Sequence, residues 1–90
     1  MTSLPPKLPL FLEATLDKWP LQEEGIIVSV KGADMVACRL LEMGIIEGEP
    51  IRVLGFALFG DPMEIRLRDY QLSLRLQDAK RVLVRRATEN

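Results

Sequence analysis

The sequence predicts a mainly β protein with one or two short helices, folded as a small barrel. Three observations carry this. The β-branched run Ile26, Ile27, Val28 and Val30 is followed by alternation through Met63, Ile65 and Leu67 and again through Leu72, Leu74 and Leu76; alternation is the period of a strand with one buried face. Only one stretch changes period: Val36, Leu40 and Met43 recur at i, i+4 and i+7, the spacing of one helix face. With 90 residues the chain makes one domain with a modest core, and closing five short strands into a barrel removes the edges an open sheet would leave.

Element by element, Pro5, Pro6 and Pro9 remove backbone donors and bias their predecessors toward extended backbone. Residues 1–14 therefore read as an extension, from which Leu4, Leu8, Leu10 and Phe11 could reach the barrel or a partner, and residues 15–85 as the domain. Thr15 caps a helical turn to Trp19, ended by Pro20 and Gly25. A first strand runs from Gly25 to Val30. Asp34 caps a helix of about three turns, with Ala37 and Leu41 beside its stripe and Gly44 where a left-handed C-cap is needed. Glu47-Gly48-Glu49-Pro50 turns into a strand over Ile51–Ala57, and Leu58-Phe59-Gly60-Asp61-Pro62 reverses the chain. In the next strand Met63, Ile65 and Leu67 face inward while Glu64, Arg66 and Arg68 face water. Beyond Asp69-Tyr70 lies its hairpin partner, with Gln71, Ser73 and Arg75 on the polar side. A single turn over Leu76–Lys80 and a last strand over Arg81–Arg85 complete the domain, leaving residues 86–90 as a tail.

Composition narrows the function. A net charge of −1 and a pI near 5.4 lack the basic excess that nucleic-acid binding needs. One cysteine, Cys38, permits no internal disulfide and fits a reducing compartment, the cytoplasm. The apolar patch Leu8–Leu12 is interrupted by Pro9 and too short for a membrane span, so direct insertion is not expected.

Arg39-Leu40-Leu41-Glu42-Met43-Gly44-Ile45, then Gly48 before a strand, then Gly60-Asp61-Pro62, then Tyr70-Gln71-Leu72-Ser73-Leu74-Arg75 resemble the FeoA family, small accessory proteins of bacterial ferrous-iron transport. The resemblance spans roughly Leu16 to Val84. It implies an SH3-like barrel in the cytoplasm and a protein partner, the FeoB-type membrane transporter, whose G-protein domain hydrolyses GTP and whose membrane part passes Fe(II). On that reading the chain assists or regulates the transporter and is recruited by it to the inner face of the membrane. Many relatives carry Gly where this chain has Asp69, a residue that tolerates left-handed backbone.

No catalytic centre is expected. There is no histidine, no Ser/His/Asp or Cys/His set and no phosphate loop, which leaves no general base poised near neutral pH. No cofactor is expected, and metal binding is weak at most: one thiol makes no closed site, while Glu23-Glu24 and Asp61 with Glu64 read as solvated acids. Cys38 is expected to pack beside Ala37 and Leu41. An arginine finger reaching a nucleotide site in trans could be Arg39, Arg66, Arg68 or Arg75, although a solvated face explains each. For partner contacts the candidates are Arg39 with Leu40, Met43 at the end of the same helix, and Leu58 with Phe59 at the turn tip. Leu41 and Met43 otherwise read as core and the tip as a barrel-end plug. Gly44, Gly48, Gly60, Asp61, Pro62 and Tyr70 read as the turn framework. The other reading is an interaction domain from a metal-dependent transcription regulator or a peptide-binding module. No helix-turn-helix supports the first, and Trp19, Tyr70 and three scattered Phe do not make a proline-peptide groove.

Overall fold

The computed structural model describes residues 13–87. The possible docking of Leu4, Leu8, Leu10 and Phe11 lies outside the described residues, as do 88–90 of the tail.

Among the described residues, six strands and two short helices are arranged in chain order as β1 (Glu13–Thr15), β2 (Gly25–Val30), α1 (Met35–Glu42), β3 (Pro50–Phe56), β4 (Met63–Leu67), β5 (Tyr70–Leu74), α2 (Leu76–Ala79) and β6 (Val82–Arg86), with 3-10 turns at Leu16–Lys18 and Leu58–Gly60. All strand pairings are antiparallel, in the order β1-β6-β2-β3-β4-β5.

The expected strand count and closure both need correction. Six strands replace five, because Glu13, Ala14 and Thr15 pair with Arg85, Val84 and Leu83. Three residues are too few to show alternation, and only the pairing with β6 makes them a strand. Second, among the described residues the sheet is curved but not closed: β1 and β5 are its two ends. Its curvature has a local cause, since β2 bulges between Ile27 and Ser29 and β3 between Val53 and Gly55. An extra residue in one strand bends it and raises its twist. Thr15 also precedes its turn without capping it, because its hydroxyl donates to Asp17 Oδ1 at 2.6 Å.

The curled sheet encloses Ile27, Ile51, Val53, Met63, Ile65, Leu67, Leu74, Val82 and Val84, with Leu16, Trp19, Leu40, Ile45 and Ala79 closing over them. Gly25 is set by this packing. A Cβ there would meet the Val84 side chain and lie 2.9 Å from the Trp19 ring, so glycine leaves room for the indole against β2. The indole N–H donates to the Glu23 carbonyl at 2.9 Å, which satisfies the ring's one polar atom at the core margin. The β4–β5 hairpin closes over Arg68 and Asp69 with Leu67 facing Tyr70. Neither loop residue has positive φ, so Asp69 is not using the left-handed tolerance expected of it.

Candidate functional site

The most exposed apolar side chains of the β3–β4 connection sit on its tip. After Phe56 the chain folds back on itself, with the Ala57 N–H donating to Pro62 O (2.9 Å) and the Gly60 N–H to Ala57 O (2.8 Å). Phe59 and Gly60 both turn left-handed, at φ 69° and 84°. Glycine does so freely, but a bulky aromatic there costs about 1–2 kcal/mol. Phe59 recovers none of this by burial, being 97% exposed beside Leu58 at 78%. The tip is therefore an exposed patch, not a barrel-end plug. It is also anchored: Asp61 Oδ1 accepts the Leu76 N–H at 3.0 Å, tying the tip to the start of α2.

On α1 the structure reverses two assignments. Leu40, expected as the exposed partner contact, is 1% exposed and inside the core, whereas Leu41, expected as core, is 48% exposed. An eight-residue helix with apolar residues on several sides does not reveal its rotation from spacing alone. The sheet fixes it: Ala37, Leu40 and the following Ile45 are buried, with Val36 and Met43 half-buried against the core. Met43 is thus a core-margin residue. Cys38 is exposed, because it projects away from the buried Ala37–Leu40 side. The outward face consists of Met35, Cys38, Arg39, Leu41 and Glu42, and Met35, 82% exposed, escaped the sequence reading. Its signal was available: Met35, Cys38 and Glu42 stand at i, i+3 and i+7, out of phase with Ala37 and Leu40.

Both ends of α1 are fixed. Asp34 Oδ1 accepts the Ala37 N–H at 3.2 Å, and its two carboxylate oxygens take Arg81 Nη1 and Nη2 at 2.7 and 3.0 Å. The hydrogen bonds from Arg81, and secondarily from Ala37, lower the Asp34 pKa from 3.8 to about 2. At the other end Gly44, at φ 102°, leaves the helix left-handed, and the Tyr70 hydroxyl donates to the Met43 carbonyl. A Cβ on Gly44 would run into that hydroxyl. Gly48, at φ 91°, donates its N–H to Ile27 O at 2.7 Å. Gly44, Gly48, Gly60, Asp61 and Tyr70 all lie at turns or anchors, and Asp61–Pro62 is a cis peptide.

The arginines divide into paired and free. Arg68 Nε donates to Glu49 Oε1 at 2.9 Å, which raises the guanidinium pKa further. Arg39 stands 3.9 Å from Asp78, and Arg52 donates to the Gln22 carbonyl and stands 3.9 Å from Glu24. Arg66 and Arg75 are exposed and make no ion pair among the described residues. Arg52, Arg66 and Arg68 line one shallow pocket with Glu24, so two of its three cations are already matched by carboxylates. Asp61 and Glu64 do not form a pair, since Glu64 accepts the Ser73 hydroxyl at 2.7 Å. Among the described residues no three His, Cys, Asp or Glu groups converge for a metal, and no helix is long and apolar enough to cross a membrane.

A family model described as the FeoA domain matches residues 14–86. The chain is 37% identical over 68 residues to an Fe(2+) transport protein A/Fe(2+) transporter FeoB fusion protein of Porphyromonas gingivalis. That alignment takes in 76% of this chain but 8% of the relative, so the chain spans only a small part of the fusion protein. An FeoA-like protein from Clostridium acetobutylicum shares the fold at a TM-score of 0.78 and 31% identity, over 90% of this chain and 94% of that one. Stenotrophomonas maltophilia FeoA, described as a prokaryotic SH3 domain protein in complex with zinc, matches at 0.69 and 32%, over 79% and 88%. The curled antiparallel sheet is accordingly a small SH3-like fold. With the family model matched from β1 through β6, this chain belongs to the FeoA family.

Proposed function

We propose that this protein is a non-catalytic accessory of ferrous-iron uptake that binds a FeoB-type membrane GTPase from the cytoplasm and is drawn by it to the inner face of the membrane. The observation that carries this reading is the fusion: in the Porphyromonas gingivalis relative, a domain 37% identical to this one is joined to a FeoB transporter. Joining two binding partners in one chain makes their encounter intramolecular, which favours pairs that work together. A shaped surface suffices for such a role, and the chain's lack of histidine is no obstacle to it.

The surface we assign to the partner is the tip of Leu58 and Phe59. An aromatic held out of the core at a conformational cost has its compensation in a complex, and rigid exposed aromatics make effective binding anchors. Arg39 and Leu41 on α1 form a second contact, in place of the buried Leu40. The test is retention of the transporter's cytoplasmic domain by immobilised wild type and by Phe59→Ser. Since Phe59 touches little within the chain, the variant keeps its circular dichroism and melting temperature while retention falls about 30-fold, the scale of a 2 kcal/mol hot spot. Equal retention by the folded variant overturns the tip as the contact. The GTP hydrolysis rate of that domain, measured with and without this protein, separates an activator from a scaffold.

A further inference from the structure

We propose that β5 is a self-complementary edge through which two copies of this chain pair antiparallel about Leu72, extending the sheet across a two-fold axis.

Among the described residues β5 is the one long end of the sheet; the other end, β1, has three residues. Its two-residue hairpin loop makes Leu67–Tyr70 the closing hydrogen-bonded pair, so Ile65–Leu72 and Met63–Leu74 are the others. Gln71 and Ser73 therefore turn their N–H and C=O groups away from β4. Both residues are exposed, and among the described residues their main-chain groups take part in none of the hydrogen bonds that loops, caps or side chains make. Sheet edges are normally guarded by a charge, a proline or a bulge. Tyr-Gln-Leu-Ser-Leu contains no charge and no proline, and its register with β4 is unbroken.

A second copy fits this edge in one register. With Leu72 on the axis, Gln71 faces Ser73 of the other copy in both directions, and the outward groups form four main-chain hydrogen bonds. Tyr70 then lies opposite Leu74, and no like charges meet. One step further out, Asp69 of each copy faces Arg75 of the other. Arg75 keeps extended backbone (φ −65°, ψ 144°), so the strand direction persists to that point. Both Asp69 and Arg75 are exposed and outside every ion pair among the described residues. Two symmetric ion pairs thus close the ends of an uncharged ladder, the reciprocity an isologous interface requires.

Sedimentation of the full chain over a concentration series reaching about 1 mM reads the association directly. Wild type forms a reversible dimer, and the Gln71 and Ser73 amides gain hydrogen-exchange protection as concentration rises. Asp69→Arg and Arg75→Asp each set like charges across the axis and weaken association about 10-fold or more, whereas the double variant D69R/R75D restores it. Both positions are exposed, and circular dichroism confirms that each variant is folded. A chain monomeric throughout, single variants that dimerise like wild type, or a folded double variant that stays monomeric each overturns the proposal. The outcome is independent of transporter binding, which the tip variant reports.

Discussion

At its start α1 is held by charge, with the Asp34 carboxylate bridging the Ala37 N–H and the Arg81 guanidinium; at its end it is held by shape, with Gly44 leaving left-handed beneath the Tyr70 ring. The first anchor is half-exposed, is screened by salt and depends on pH. The second is steric, and it fails through volume. The difference matters because α1 carries the outward face of Arg39 and Leu41. A helix of eight residues does not persist on propensity alone, so its position on the sheet depends on these two anchors together with Ala37 and Leu40.

The steric anchor gives the largest effect. Gly44→Ala adds a Cβ where the backbone is left-handed and the Tyr70 hydroxyl already stands. Strain of about 1–2 kcal/mol and overpacking of about 1–3 kcal/mol sum to a loss of about 2–5 kcal/mol in denaturant unfolding. Tyr70→Phe alone removes one half-exposed hydrogen bond, to the Met43 carbonyl, and loses about 0.5–1.5 kcal/mol. The double variant sharpens the comparison. Deleting the hydroxyl makes room for the Cβ, so the combined loss is smaller than the sum of the two, and additive losses would show that the two sites do not share this contact.

What the sequence revealed follows from how local each cause is. The helix limits were legible, since Asp34 as cap and Gly44 as left-handed exit act within a few residues. The β4–β5 alternation was legible for the same reason: period two needs no partner to be read. Leu40 and Leu41 were exchanged because helix rotation is set by the sheet beneath it. Closure was misjudged because strand count does not say whether the ends meet, and here β1 and β5 remain ends. The tip was half legible: Leu58 and Phe59 stood out as apolar residues in a turn, but their exposure depends on Phe59 taking positive φ. The Asp34–Arg81 bridge spans 47 positions, beyond any local pattern.

That bridge yields the smallest effect and the one most open to experimental conditions. Because Asp34 is held near pKa 2 in the folded chain against an ordinary 3.8, its charged form is favoured by folding. The stabilisation is complete above about pH 4 and is lost as pH falls through the folded value near 2. Asp34→Asn keeps a side-chain oxygen to cap Ala37 but removes the charge from Arg81. Wild type therefore melts slightly above the variant at neutral pH and low salt, and the two curves converge as pH drops from about 4 toward 2. Raising salt at pH 7 also narrows the gap, since the pair is half-exposed. The same scan on Gly44→Ala shows no such convergence, because a steric anchor carries no proton. A gap for Asp34→Asn that stays constant from pH 7 to 2 would mean that the N-terminal anchor works through hydrogen-bond geometry rather than charge, and the contrast between the two ends of α1 would be lost.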